Sequence, residues 1–198
     1  INSGTFSANA LTINGPLSVT AATGGITQGG GFKVTGASSF NAGSGTITLT
    51  NAGNDFAGVV NLTGGATQIT SANALTLGTL ATGALTAVSH GALNLGAGSI
   101  GGNLAATSNN GAISQTGALN VSGTSNLNAG NGAITLSNAG NHFAGAMTLA
   151  GAGVQVVDAG NLTVAALTNG ANGAVSLVAE GTLTLPAGAI NTGSANLV

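Results

Sequence analysis

Ile47-Thr48-Leu49-Thr50-Asn51-Ala52-Gly53-Asn54-Asp55-Phe56-Ala57-Gly58 returns 87 residues later as Ile134-Thr135-Leu136-Ser137-Asn138-Ala139-Gly140-Asn141-His142-Phe143-Ala144-Gly145. The match extends outward without a gap. Residues 24–83 laid on 111–170 share 29 of 60 positions. Repetition on this scale, in a 198-residue chain with one basic and three acidic side chains, points to a stacked solenoid in which each unit buries its apolar side against its neighbours.

Within the stretch, Ile47-Thr48-Leu49 alternates apolar with small polar residues. Leu11-Thr12-Ile13, Leu75-Thr76-Leu77, Ile134-Thr135-Leu136 and Leu183-Thr184-Leu185 do the same. Period-two alternation marks a half-buried strand. It sends the Leu and Ile side chains inward, and Thr12, Thr48, Thr76, Thr135 and Thr184 outward, with Lys33 outward beside Phe32. Gly-Gly, Asn-Gly, Ser-Gly and Asn-Ala-Gly clusters separate the segments and provide the positive φ angles and side-chain hydrogen bonds of tight corners. No stretch shows the i, i+3, i+4, i+7 apolar stripe of a surface helix.

The bulky apolar residues fall into three columns. One runs Ile26, Ile47, Ile69, Ile113, Ile134, Val156, Leu177, with a missing member near Gly91. A second runs Leu11, Phe32, Phe56, Leu75, Leu95, Leu119, Phe143, Leu162, Leu183. The third runs Leu17, Phe40, Leu62, Leu80, Leu104, Leu127, Leu149, Leu167, Ile190. Three inward columns make a triangular prism. The expected fold is an all-β parallel β-helix, a β-solenoid. Dividing 87 by four sets about 22 residues per coil, hence about nine coils in one continuous segment, 1–198, on the order of 40 Å long at ~4.8 Å per strand. The pattern reaches both ends and the chain opens at Ile1 without Met, so it reads as an excerpt of a longer rod.

Composition excludes several functions. The charged residues are Lys33, Asp55, Asp158 and Glu180; His90 and His142 are the only imidazoles, and Arg, Cys, Trp and Tyr are absent. General acid–base catalysis needs two titratable groups held together, and here they are scattered along the rod, so no catalytic residue, cofactor or enzymatic activity is expected. A metal site needs several ligands on one ion, which the isolated His90 and His142 do not provide; both read as solvated corner residues. Nucleic acid binding needs clustered Lys and Arg. Every apolar run is broken well before the ~18 residues of a membrane helix, and a membrane barrel would carry aromatic girdles.

The candidate site residues are structural. Asn51, Asn54, Asn138 and Asn141 recur at one corner of the unit, where their amides are expected to bond the turn backbone; a glycan contact is the alternative. Phe56 and Phe143 follow those corners as core plugs, whereas carbohydrate stacking would require them to be exposed.

The quoted stretch and its echo resemble the repeats of filamentous haemagglutinin-like exoproteins. So do Ser71-Ala72-Asn73-Ala74-Leu75-Thr76-Leu77-Gly78 and Gly111-Ala112-Ile113-Ser114-Gln115-Thr116-Gly117-Ala118-Leu119. The resemblance implies a right-handed parallel β-helix, secreted to the bacterial surface or into a biofilm. An outer-membrane two-partner-secretion transporter would be its export partner, and adhesion its role, with a polysaccharide or cell-surface receptor contacted through other regions. The family's asparagine-rich amino-terminal secretion signature is not found in this chain. Three competing readings are self-association into a filament, end to end or laterally, a polysaccharide-active enzyme on a β-helix, and an ice-binding solenoid. Scattered acids weigh against the enzyme, and alanine at Ala74 and Ala133 breaks the Thr-x-Thr ladders that ice binding needs.

Overall fold

The computed structural model describes residues 2–170, 173–188 and 190; the expected ends of the segment, Ile1 and 191–198, lie outside the described residues. Among the described residues every regular element is a strand, and every strand pairing is parallel. The chain is a parallel β-helix with three faces per turn.

The first face stacks Phe6–Ala8, Ile26–Gln28, Ile47–Leu49, Thr67–Ser71, Leu85–Ser89, Leu104–Thr107, Ser125–Asn128, Met147–Gly151 and the end of Leu162–Asn169, through eight successive pairings. The second carries Leu11–Ile13, Phe32–Val34 and Asp55–Phe56, and continues through the start of Leu75–Thr82, Leu93–Asn94, Ile113–Ser114, Ile134–Leu136, Val154–Asp158 and Val175–Ala179. The third holds the remaining strands, among them Ser38–Asn41, Val60–Gly64, Ala97–Ile100, Leu119–Val121 and His142–Phe143. Leu75–Thr82 and Leu162–Asn169 each round a corner unbroken, which merges faces into sheets of 13, 10 and 3 strands.

Alternation does what the sequence leads one to expect. Leu75, Ile113 and Leu149 are buried in one continuous core with Phe32, Phe40, Phe56 and Phe143. Thr12, Thr135 and Thr184 are exposed, and Thr48 and Thr76 half-buried. Leu183, the final member of the second column, and Leu185, both expected to point inward, are each 38% exposed because no described strand stacks beyond them.

The columns read from sequence, however, do not each follow one face. Ile26 stacks on Ile47 on the first face, while Ile113 stacks on Ile134 on the second. Phe40, Leu62 and Leu80 share the third face, whereas Leu127, Leu149 and Leu167 share the first. Phe32 lies on the second face and its equivalent Leu119 on the third. Each column steps one face onward between Leu80 and Leu119. The gap near Gly91 is where the first column makes that step, onto the face of Leu93.

The physical reason is a mismatch between unit and turn. Ile47 lies on the first face; the face is revisited at Thr67, Leu85, Leu104 and Ser125, and Ile134 lies one side beyond. Eighty-seven residues therefore span four and one third turns. Turns run from the Val60↔Leu77 register to the Ser38↔Val60 register, 17 to 22 residues, with bulges absorbing the shortest.

Candidate functional site

At a corner the backbone leaves its ladder, and a buried N–H without a carbonyl partner is costly. Asn54 supplies the missing acceptor. Its side chain is fully buried; Oδ1 accepts from the Phe32 N–H (2.8 Å) and from Gln28 Nε2 (2.7 Å), and Nδ2 donates to Gln28 Oε1 (2.8 Å) and the Leu49 carbonyl (3.0 Å). The two amides face each other in a cyclic pair across one turn of the helix.

Asn141 repeats the clamp one unit on. Its Oδ1 accepts from Leu119 N–H (3.0 Å) and Gln115 Nε2 (2.7 Å), and its Nδ2 donates to Gln115 Oε1 (2.9 Å) and the Leu136 carbonyl (3.1 Å). Asn51 and Asn138 close the turn before each clamp, accepting from the Gly53 and Gly140 N–H groups at 2.9 Å. The clamp at Asn54 sits between the first and second faces, and that at Asn141 between the second and third. Phe56 and Phe143 enter the core directly after them, and the Phe56 ring meets Phe40 edge-on at 5.9 Å.

Three partners escaped the sequence reading. Gln28 and Gln115 are identical at the 87-residue shift, and that identity beside Ile26 and Ile113 was the available signal. Asp158 has no such signal, because its equivalent is Ser71. It is buried, with Oδ2 accepting from Phe143 N–H and Oδ1 from Gly160 N–H, both at 2.6 Å. A carboxylate fits there because both oxygens meet donors.

The titratable groups are not all scattered, as the sequence suggested. His142 Nδ1 lies 3.9 Å from Asp158 Oδ1, the imidazole about half exposed. The coil that runs from His142–Phe143 through Met147–Gly151 to Val154–Asp158 brings together residues 16 apart in sequence, a proximity hidden from linear spacing. Asp55 and Lys33 are register partners on the second face. His90 is exposed at a corner, with Nδ1 3.2 Å from the Ser71 carbonyl. No group of three or more His, Asp or Glu side chains able to hold a metal occurs among the described residues, and no helix there is long and apolar enough to cross a membrane.

Outside, the faces carry columns of uncharged polar residues. Thr27, Thr48, Gln68 and Thr86 align on the first face, and Thr135, Gln155 and Ser176 on the second. The latter edge a shallow groove of about 390 Å³ floored by Ala152, Gly153 and Ala174.

A family model described as repeats of unknown function (DUF5649) matches residues 1–63 and 82–150. The chain belongs to that family. The two DUF5649 matches end at Thr63 and Ala150, which are 87 residues apart and equivalent in the internal repeat. No curated protein and no solved structure matches the chain.

Proposed function

We propose that this chain is a length of structural and adhesive rod, a stalk or filament segment of a secreted haemagglutinin-like bacterial protein that supports attachment to host cells, neighbouring bacteria or biofilm matrix. Export would run through an outer-membrane two-partner-secretion transporter. The resemblance of Ile47–Gly58 and its echo to haemagglutinin-like repeats supports this reading.

The observation that carries it is the exterior. Columns such as Thr27, Thr48, Gln68 and Thr86 repeat hydroxyls and amides at the strand spacing of ~4.8 Å on a rod with a continuous apolar core. Such a surface hydrates without charge and offers many weak, regularly spaced hydrogen bonds, which suits multivalent contact with a polymer. The Asp158 carboxylate is committed to two backbone N–H groups, which favours a structural role for the His142–Asp158 pair over catalysis.

The test is to fuse the chain behind a two-partner-secretion domain, express it with its transporter, and measure surface protease accessibility and attachment of the cells to monolayers and polysaccharide-coated glass. The expected result is a displayed, protease-resistant rod and attachment above that of cells displaying the secretion domain alone. Retention inside the envelope, or attachment at the control level, overturns the proposal. End-to-end polymers of purified chain in electron micrographs would favour filament assembly instead.

A further inference from the structure

Because the unit covers four and one third turns, its two copies present the same outward ladder on different sides. Thr27, Thr48 and Gln68 lie on the first face. Their equivalents Ser114, Thr135 and Gln155 lie on the second. The corner clamp moves in the same way, from Gln28–Asn54 to Gln115–Asn141. We infer that the 87-residue unit is a module that inserts or drops out whole, each copy changing the rod's length by about 21 Å at ~4.8 Å per turn and carrying its surface to the next face of the prism.

The reason is that stacking is decided by nearest neighbours, and the neighbours at a junction are interchangeable. Removing residues 50–136 joins Leu49 to Ser137. The clamp at that junction is then rebuilt from Gln28 and Asn141, with Phe32 N–H reaching Asn141 Oδ1 in place of Asn54 Oδ1. Val34 meets Phe143 as it met Phe56. Every strand beyond the junction finds an equivalent partner one face away from its former position. A deletion of residues 50–106 makes the opposite choice: Leu49, Ile69, Ala87 and Ala106 are register partners, so each face is kept, but unlike corners are joined.

The face shift is readable by cross-linking, since the chain has no cysteine. In the full chain Thr48 pairs with Gln68, and Gln155 lies on another face more than four turns away. In the 50–136 deletion Gln155 takes the place of Gln68, within the Cα separation a disulfide accepts. The experiment oxidises Thr48→Cys/Gln155→Cys in both backgrounds, with Thr48→Cys/Gln68→Cys in the full chain as the positive control. It also compares the denaturant midpoints of the two deletions, and the rod lengths by solution scattering of the 50–136 deletion and of a chain with residues 50–136 duplicated.

The expected results are near-complete cross-linking of Cys-substituted positions 48 and 155 in the deletion and none in the full chain, rods about 21 Å shorter and longer at ~4.8 Å per turn, and a lower midpoint for the 50–106 deletion. The inference is overturned by loss of β structure in both the 50–136 deletion and the duplication. It is equally overturned by a folded deletion that fails to cross-link, or by a 50–106 deletion as stable as the 50–136 one.

Discussion

Replacing Asn54 with alanine tests whether the corner clamp holds the turns together. The substitution removes the acceptor of the Phe32 N–H and the donor to the Leu49 carbonyl, both at buried residues, while the half-buried Gln28 amide keeps its bonds to the Gly30 carbonyl and the Asn51 N–H and has access to water for the rest. At ~1–3 kcal/mol for each buried group left unpaired, the cost is about 4 kcal/mol. In a stack stabilised by nearest neighbours the loss is felt locally. Hydrogen exchange resolved by residue is therefore the better assay than a global melt: the Phe32 amide is expected to exchange at least about a hundredfold faster, since ~1.4 kcal/mol corresponds to tenfold. Amides of the turns around Leu177 should be unaffected. Asn54→Asp sharpens the test, because a carboxylate would still accept from Phe32 N–H but would set an oxygen against the Leu49 carbonyl and Gln28 Oε1. It should cost at least as much as alanine, although Asp158 is at home in its own corner. A change below about 0.5 kcal/mol, the scale of a neutral surface substitution, for either variant would refute the reasoning.

Phe56→Ala should cost roughly 3–5 kcal/mol by chemical denaturation, because the ring is fully buried against Phe40; a loss under about 1 kcal/mol would return it to the surface. Gly96→Ala places a Cβ 2.0 Å from the Gly78 carbonyl oxygen at a φ of +66°, so a shift of backbone adds to the ~1–2 kcal/mol of the left-handed conformation, and the thermal midpoint should fall clearly below that of Thr135→Val, an outward change expected to stay within about 0.5 kcal/mol. Ile134→Pro removes the bond from Ile134 N–H to the Gly153 carbonyl (2.9 Å) in mid-stack and should cost about 3 kcal/mol or more; if stepwise folding draws the chain through its transporter, surface appearance should also slow, and unchanged export kinetics would count against that coupling.

Alternation of two was enough to place strands such as Ile47–Leu49 and to send Leu75 and Ile113 inward, because that signal is local. The corner chemistry was partly legible: Asn-Ala-Gly-Asn marks a turn, and the Gly53 N–H bond to Asn51 is what such a sequence favours. The partner of Asn54 was not, since Gln28 lies 26 residues back and meets it only once a turn has closed. Asp158 and His142 are likewise neighbours through stacking alone. The face of each column was hidden for a related reason. Spacing along the chain counts residues, whereas the prism counts sides, and turns of 17 and 22 residues are equally closed when a bulge takes up the difference.

The side, rather than the turn, is therefore the physical quantum of this fold. From Ile47 to Ile134 the chain lays down thirteen sides, and a unit of any whole number of sides would stack, because an inward Ile, Leu or Phe meets the same apolar core whichever face it enters. Twelve sides would have returned each surface residue to one stripe. Thirteen spreads a residue that recurs once per unit, such as Thr48 and Thr135, over successive faces. Runs of hydroxyls and amides along one side, such as Thr27, Thr48, Gln68 and Thr86, are accordingly finite, and this one is broken by Ala105 at the next turn. The surface features of each unit are thereby distributed around the rod rather than gathered on one side, and on the proposed stalk reading a partner could meet them whichever way the rod is turned about its own axis.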